Sequence, residues 1–401
     1  MNSEFRAYLS STAFISLAFA MQQLLISWLL VGVLLLPADR VGVLQALMGI
    51  PGIFLMLWGG ASADRADPRA LLMRVYFLAP ILPLFLIIVI NTTELSVLPV
   101  VLWGLGMSVA MSFSTPAQQA ILSRVTQGSD IQKGVSAATA IGFLVQIIGL
   151  YAAGQLDRFG LTNVLLIQGV CLLLGALTIR RLTPQPSSAD QTNQTHTSAL
   201  ANIKAGLQAT LKHRVIFHLL AINFVSTIFN AGAFMTAFPF IIKRVYDGNA
   251  ALLALMMAVF FAGAMASNLL MLKLMPFRQP GRLFLLMQLS RIVVLWLLWI
   301  EPSWWLLVVA TIGWGLNMGF TSTLSRTITQ ESAPPEYRGR IMGVLALGTM
   351  GSAPIGAIVL GYIIESVGTL DALVPAMVLS LLLFAYGVWR TEIWHYRSPQ
   401  S

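Results

Sequence analysis

Twelve long apolar runs constrain the fold of this sequence more than any other feature. They cover residues 8–36, 41–62, 70–90, 95–116, 133–156, 162–180, 215–242, 250–274, 282–300, 303–324, 340–364 and 370–390. A helix needs about 20 apolar residues to cross the hydrocarbon core of a bilayer. We therefore predict an all-α integral membrane protein with twelve transmembrane helices.

The overall composition excludes a soluble domain with a large core. Apolar residues make up 57% of the chain and charged residues only 10%, whereas about 25% of the residues in ordinary soluble domains are charged. The formal net charge is +9, but the basic residues lie between the apolar runs and form no patch with interleaved aromatic residues. The charge therefore indicates membrane topology and no nucleic-acid partner.

The distribution of lysine and arginine predicts the orientation in the membrane. With both termini on one side, that side carries 19 of the 24 basic residues. The opposite side carries Arg40, Arg158, Lys243 and Arg244, and Arg291 lies within an apolar run. Because cytoplasmic loops are enriched in Lys and Arg, we predict a multi-pass protein of the bacterial inner membrane with both termini in the cytoplasm.

A polar stretch at residues 183–198 divides the chain into two halves of six spans each. Its polar composition predicts a flexible linker. Leu200, Ile203, Leu207 and Leu211 then recur at helical spacing, which predicts an amphipathic helix either on the cytoplasmic leaflet or packed on the bundle. The predicted domains are 1–182, a linker with this helix at 183–214, and 215–401.

The two halves repeat each other at an offset of about 207 residues. The fifth span ends Gly154-Gln-Leu-Asp-Arg-Phe-Gly160, and the eleventh ends Gly361-Tyr-Ile-Ile-Glu-Ser-Val-Gly368. Parallel six-helix repeats are typical of transporters in which the substrate site lies near the bilayer midplane, between the halves. The pattern predicts two pseudo-symmetric six-helix bundles.

Three motifs carry a resemblance to a known family. Gly60-x-x-x-Asp64-Arg65-x-x-x-Arg69 follows the second span, Thr115–Val125 follows the fourth, and Gln330–Gly343 opens the eleventh. The last contains Pro334, Glu336, Arg338, Gly339 and Arg340 in order. Together they resemble the major facilitator superfamily, in the bacterial efflux branch that includes siderophore (enterobactin) exporters.

The resemblance implies export of a small molecule, with a siderophore as the first candidate, by alternating access and driven by protons. A multidrug efflux pump, a lipid flippase and an uptake permease remain alternatives. We expect no enzymatic activity, cofactor or metal, because no catalytic constellation, metal-ligand cluster or phosphate-binding loop appears. The single cysteine, Cys171, lies in an apolar run, so no disulfide framework is predicted. The expected partners are the small-molecule substrate, protons and the lipid bilayer, and we expect a monomer.

The motif after the second span predicts a cytoplasmic gate. A carboxylate at Asp64 lies at the negative C-terminal end of a helix, which is unfavourable without a cationic partner. We expect Asp64 to be paired at the start of the eleventh span. The gating candidates are Gly60, Asp64, Arg65, Arg69, Arg338 and Arg340.

Arg291 is the only basic residue deep within a predicted span. An intramembrane charge costs about 2.5 kcal/mol or more and indicates a functional site by default. An anionic substrate, such as a carboxylate or catecholate siderophore, would provide a partner. The alternative is a structural role in which Arg291 binds backbone carbonyls or polar groups such as Asn268.

Other polar residues in the spans predict an uncharged cavity. By analogy with the superfamily, the substrate-binding candidates besides Arg291 are Gln22, Gln23, Ser112, Gln146, Asn223, Asn230 and Asn317. Hydrogen bonds between helices are the alternative role for each of them. The proton-coupling candidates are Asp157 and Glu365, at corresponding positions of the two halves.

Overall fold

The structure is a computed structural model that describes residues 3–65, 67–125, 131–183 and 199–398, and the statements below concern these residues. Fifteen α-helices form and no strand is present in this part of the chain. They are α1 (Ser3–Trp28), α2 (Ala38–Arg65), α3 (Pro68–Leu78), α4 (Ile81–Thr92), α5 (Val97–Val125), α6 (Ile131–Gly154), α7 (Leu156–Ile179), α8 (Ala199–Lys212), α9 (Arg214–Gly232), α10 (Phe238–Phe240), α11 (Ala250–Leu274), α12 (Pro280–Trp299), α13 (Trp304–Ser332), α14 (Arg338–Val367) and α15 (Val374–Arg390).

The helices follow the predicted spans closely. Eleven helical segments of the described residues are long and apolar enough to cross a membrane, and the apolar part of α6, Ile141–Gly154, is shorter. The first and seventh spans extend past their α-helices through π-helical turns at Leu29–Val33, Ala233–Ala237 and Ile241–Val245. The prediction of an all-α, multi-pass membrane fold is confirmed.

The third span consists of two helices, α3 and α4. Asp67 caps the start of α3, because its Oδ1 accepts a hydrogen bond of 3.0 Å from the backbone N–H of Arg69, and Pro68 occupies the first turn, where no N–H is needed. The break follows Leu78, and Pro80 has no N–H to continue the hydrogen-bond ladder of α3. The sequence motif after the second span thus contains a helix start.

The chain forms two compact units. Unit 1 comprises Met1–Leu36, Leu47–His196 and Gly248–Ala258. Within it, α1 packs against α6, α7 and α5, while α3 and α4 pack against α5 and α7. The largest fully buried side chains of this unit include Trp103 and Tyr76.

Unit 2 comprises Pro37–Ala46, Thr197–Asp247 and Val259–Ser401. Within it, α9 packs along α14, and α12 packs between α13 and α15. Trp314 of α13 contacts the rings of Phe234, Phe238 and Phe260 edge to face, with centroid distances of 5.5–5.8 Å. The assignment of 183–214 as a separate linker domain stays a prediction.

Glycine permits close backbone contact between α9 and α14. A Cβ atom on Gly232 would lie 2.3 Å from the carbonyl oxygen of Gly356, and one on Gly356 would lie 2.1 Å from that of Ile228. The start of α2, which belongs to unit 2, uses the same device, since a Cβ on Gly42 would lie 2.2 Å from the carbonyl oxygen of Ala357. Small residues thus bring α14 to backbone distance from two neighbours.

The segment after α15 folds back onto unit 2. The Tyr396 hydroxyl and the Ser398 hydroxyl donate to the Glu331 carboxylate at 3.1 and 2.9 Å, respectively. Ile393 is fully buried, and the Arg282 guanidinium lies 4.7 Å from the Trp394 ring centroid. These contacts connect the end of α13 to the start of α12 through residues 391–398.

Candidate functional site

Arg291 lies in the middle of α12 with its side chain buried in unit 2 and only 4% exposed. Its Nη1 donates to the Ser226 hydroxyl, to the Ser226 carbonyl oxygen at 3.5 Å and to Gln288 Oε1 at 3.3 Å. Its Nη2 donates to Asn317 Oδ1 at 3.3 Å. Three helices, α9, α12 and α13, therefore supply neutral oxygen atoms to one guanidinium.

The neighbours of Arg291 are themselves fixed by hydrogen bonds. Asn317 Nδ2 donates to the Met287 carbonyl oxygen at 2.6 Å and to the Ser290 hydroxyl at 2.7 Å. The Ser226 hydroxyl donates to Gln288 Oε1 at 3.0 Å. Asn268, the alternative partner proposed from the sequence, bonds instead to Thr323 and to the Ala264 carbonyl oxygen. We call Ser226, Gln288, Arg291 and Asn317 the arginine cluster.

Two donors of the arginine cluster have no partner among the described residues. They are Arg291 Nε and Gln288 Nε2, both fully enclosed. No carboxylate in the part of the chain that the structure describes forms an ion pair with Arg291. A buried charge is normally paired, so a guanidinium with only neutral partners is an unusual feature of this interior.

The arginine cluster contains residues that the sequence analysis did not single out. Gln288 lies three residues before Arg291 on the same face of α12 and is fully buried, and Ser226 lies between the candidates Asn223 and Asn230 on α9. A glutamine at i−3 from an intramembrane arginine is the signal that would have identified Gln288, because residues three apart share a helix face.

The remaining candidates of unit 2 have different surroundings. Asn230 Oδ1 accepts a hydrogen bond of 2.7 Å from the Trp314 indole N–H, which fixes it between α9 and α13. Asn223 is 6% exposed, and no hydrogen bond to its side-chain amide is found among the described residues. Asn223 is therefore the candidate whose polar side chain is available to a ligand.

Asn223 lines a cavity of about 340 Å³ within unit 2. The other walls are Leu220 and Phe224 of α9, Ile203 and Leu207 of α8, and α14 between Val344 and Thr349. The Thr349 hydroxyl is already bonded to the Leu345 carbonyl oxygen at 2.9 Å. An apolar cavity of this size with a small number of polar groups is typical of small-molecule sites.

The candidates of unit 1 form amide pairs across α1. Gln168 Nε2 of α7 donates to Gln22 Oε1 at 2.9 Å and to the Ala18 carbonyl oxygen at 3.1 Å. Gln146 Nε2 of α6 donates to Gln23 Oε1 at 2.9 Å. Adjacent glutamines of α1 thus face different helices. Gln168, in the middle of a predicted span, was missed from the sequence, although a lone amide in an apolar run was a usable signal.

Ser112 of α5 is buried, and its hydroxyl donates to the Ser108 carbonyl oxygen at 2.7 Å, one turn earlier. Its contact is therefore within its own helix.

The predicted gate is described only in part. Gly60, Asp64 and Arg65 lie at positions whose side chains are outside the described residues. Arg69 Nη2 donates to the Arg180 carbonyl oxygen at 2.8 Å, which ties the start of α3 to the end of α7.

Arg338 and Arg340, the other two gating candidates, begin α14. The Arg340 guanidinium lies 5.7 Å from the centroid of the Tyr337 ring. The pairing of Asp64 with the start of α14 stays a prediction.

The two proton-coupling candidates differ in their contacts. Asp157 is exposed in the first turn of α7. Glu365, near the end of α14, accepts a hydrogen bond of 3.0 Å from the backbone N–H of Ala38 and lies 3.8 Å from Arg244 Nη2. Glu365 therefore connects α14 to the start of α2 and to the end of the seventh span within unit 2.

A family comparison decides the assignment of the whole chain. The family model described as Major Facilitator Superfamily matches residues 8–357 and 220–400. The chain belongs to this superfamily. A search of curated proteins found no match. The protein is therefore a major facilitator transporter, a multi-pass membrane protein that binds a small-molecule substrate.

Solved structures of similar fold cover nearly the whole transporter. A point mutant of the nucleoside transporter NupG has a TM-score of 0.78 at 17% identity, covering 96% of this chain and 99% of that one. A POT family transporter in complex with 5-aminolevulinic acid has a TM-score of 0.72 at 11% identity, covering 96% of both chains. A bacterial homologue of the lysosomal transporter Spinster, inward-facing and unoccupied, has a TM-score of 0.65 at 14% identity, covering 98% and 96%. At these identities the likeness establishes the major facilitator fold and leaves the substrate open.

Proposed function

We propose that this transporter exports a small organic anion, with a siderophore as the first candidate, across the bacterial inner membrane. The observation that carries the proposal is the arginine cluster, in which a buried guanidinium has only neutral partners. Alternating access, proton drive, a monomeric state and cytoplasmic termini complete the proposal.

The energetics of Arg291 favour an anionic substrate. A charged side chain at the centre of a membrane helix costs about 2.5–3.5 kcal/mol on insertion scales. The four hydrogen bonds of Arg291 to neutral groups reduce this cost without cancelling the charge. A carboxylate or catecholate that reached the cluster would supply the opposite charge, and a carboxylate can accept two parallel N–H bonds from one guanidinium.

The other polar candidates provide neutral contacts in this proposal. Asn223, Asn230 and Asn317 in unit 2, and Gln22, Gln23, Gln146 and Ser112 in unit 1, offer amide and hydroxyl groups without charge. Selectivity for an anion would therefore depend on Arg291 alone. This makes Arg291 the residue on which the proposal is most sharply tested.

Proton coupling is proposed for Glu365, with Asp157 as the second candidate. Protonation of Glu365 would remove its charge and weaken both the ion pair with Arg244 and the hydrogen bond from Ala38. A proton would thereby loosen contacts among α14, α2 and the end of the seventh span.

Multidrug efflux is the second candidate function. The apolar cavity beside Asn223 favours it, because amphiphilic drugs need apolar walls and few fixed charges. Export of drugs would depend on this cavity and would tolerate the loss of the Arg291 charge. The two functions therefore predict different effects of the same variant.

The test compares a deletion strain with strains that express variants of the transporter. Intracellular and secreted siderophore are measured, together with growth on a panel of toxic compounds. For siderophore export, the deletion strain retains siderophore inside the cell and the wild-type gene restores secretion. Arg291→Met behaves like the deletion, and Arg291→Lys restores part of the export. Arg282→Met, an exposed change at the start of the same helix, behaves like the wild type.

Two results would contradict siderophore export. Normal siderophore secretion by the deletion strain, together with hypersensitivity to drugs, would support multidrug efflux. Reduced accumulation of siderophore from the medium in the deletion strain would indicate that the transporter works as an uptake permease. Wild-type export by a correctly inserted Arg291→Met variant would show that the arginine cluster does not recognise the substrate.

A further inference from the structure

The helix after the connector, α8, takes part in a cavity rather than lying apart from the bundle. Its buried side carries Gly206, Ala209 and Thr210, and a Cβ on Gly206 would lie 2.6 Å from the Arg340 carbonyl oxygen. This small-residue side packs against the start of α14. Ile203 and Leu207 lie at the flank of that contact and face the cavity beside α9.

The cavity contains one polar group without a partner. Asn223 is 6% exposed as a residue and lines the cavity, and its side-chain amide forms no hydrogen bond to any described residue. A buried amide that lacks a partner is unfavourable. The cavity therefore presents apolar walls around one amide group that can both donate and accept.

We infer that α8 forms one wall of a ligand-binding cavity, with Leu207 setting its size and Asn223 anchoring the ligand. The ligand is a single ring that carries an amide or similar hydrogen-bonding group. The ring packs against Leu207, Leu220 and Phe224, and its polar group pairs with the Asn223 amide. This inference depends on the proposed function in one respect only, namely which transported solute the ligand belongs to.

The volume limits the ligand to one ring with its substituents. An apolar cavity of about 150 Å³ engineered in another protein binds benzene, so the 340 Å³ found here accommodates one substituted ring. A substrate with several such rings would exceed this volume, so the cavity would receive one of its rings.

The test uses cysteine labelling of the full-length transporter in lipid nanodiscs. Cys171, the only native cysteine, is first replaced (Cys171→Ser). Leu207→Cys then places a thiol in the cavity wall, and Leu211→Cys, one turn further along α8, serves as the matched control. Leu211 is 59% exposed and does not line the cavity. The rate of reaction with N-ethylmaleimide is measured with and without 2,3-dihydroxybenzamide, a single ring with one amide.

The inference predicts that the probe slows labelling at Leu207→Cys and leaves Leu211→Cys unchanged. Asn223→Leu, added to Leu207→Cys, weakens this protection by about fivefold, because one hydrogen bond contributes about 1 kcal/mol. Equal rates with and without probe at Leu207→Cys, equal slowing at both positions, or full protection in the Asn223→Leu variant would each overturn the inference.

This result is independent of the export assay. Protection of Leu207→Cys in the purified transporter would support the cavity even if the deletion strain secreted siderophore normally. Conversely, a failure of protection combined with lost export in Arg291→Met would leave the proposed function in place and remove only the α8 wall.

Discussion

The close contact between α9 and α14 predicts that the same substitution, glycine to alanine, changes the stability of the protein in opposite directions at two positions of α14. Gly356→Ala would place a Cβ atom 2.1 Å from the Ile228 carbonyl oxygen, whereas ordinary contact begins at 3.4 Å. The added Cβ atom would therefore lie about 1.3 Å (3.4 − 2.1) closer to this backbone oxygen than ordinary contact allows. Gly351, five residues earlier on α14, has no atom within 4 Å of an added Cβ.

The magnitude follows from two competing terms. Alanine stabilises a helix relative to glycine by about 1 kcal/mol, so Gly351→Ala should be neutral or stabilising by up to that amount. Overpacking costs about 1–3 kcal/mol. The added atom at Gly356 clashes with backbone, which cannot move away by a change of rotamer. The cost of overpacking there should therefore lie near the upper end of this range. The expected net destabilisation of Gly356→Ala is about 2 kcal/mol.

The native thiol provides the assay. Cys171 is buried in α7, so a maleimide dye that fluoresces on reaction reports thermal unfolding of the detergent-purified transporter. The melting temperature should fall for Gly356→Ala and stay equal or rise for Gly351→Ala. A melting temperature for Gly356→Ala at or above that of Gly351→Ala would refute the close backbone contact.

Three further predictions concern single contacts. Trp314→Phe removes the 2.7 Å hydrogen bond to Asn230 and leaves a cavity where the larger indole was buried, so in the same thermal assay it should destabilise the protein by more than the ~1 kcal/mol of one hydrogen bond. Adding Asn230→Leu should cost less in that variant than in the wild type. Glu331→Leu removes the acceptor of the Tyr396 hydroxyl bond and should speed proteolytic cleavage of residues 391–398, detected by mass spectrometry. Asp64→Asn should abolish transport while the variant protein reaches the membrane in normal amounts. Wild-type flux through that variant would show that Asp64 is not part of a gate.

The twelve spans could be predicted because their signal is local. A helix in lipid satisfies its own backbone hydrogen bonds, so about 20 apolar residues determine the element regardless of its neighbours. The eighth span, 250–274, has the same bounds in α11, and most others differ by only a few residues. The turn after Leu78 was not predicted, since Pro80 lies within a run that is apolar throughout.

The partners of the polar residues could not be predicted, because they depend on which helix faces which. Adjacent glutamines at 22 and 23 are equivalent in the sequence, yet α7 approaches one and α6 the other. The side of α8 that packs on the bundle could not be predicted either. The leucine stripe left open whether it faces the leaflet or the bundle, and the contact with α14 is made by glycine, alanine and threonine, because small residues allow closer approach.

Arg291 shows how a local signal and a tertiary one combine. Its position in an apolar run identified it from the sequence as a residue that needs a partner, because the cost of a charge in lipid does not depend on the fold. The identity of its partners came only from the packing of α9 and α13 against α12, which surrounds the guanidinium with Ser226 and Asn317. Since these partners are neutral, the packing fixes the position of the charge without compensating it. The proposal that the arginine cluster recognises an anion follows from this uncompensated charge, because well-packed apolar side chains of similar volume often stabilise a protein interior as well as buried charged groups do.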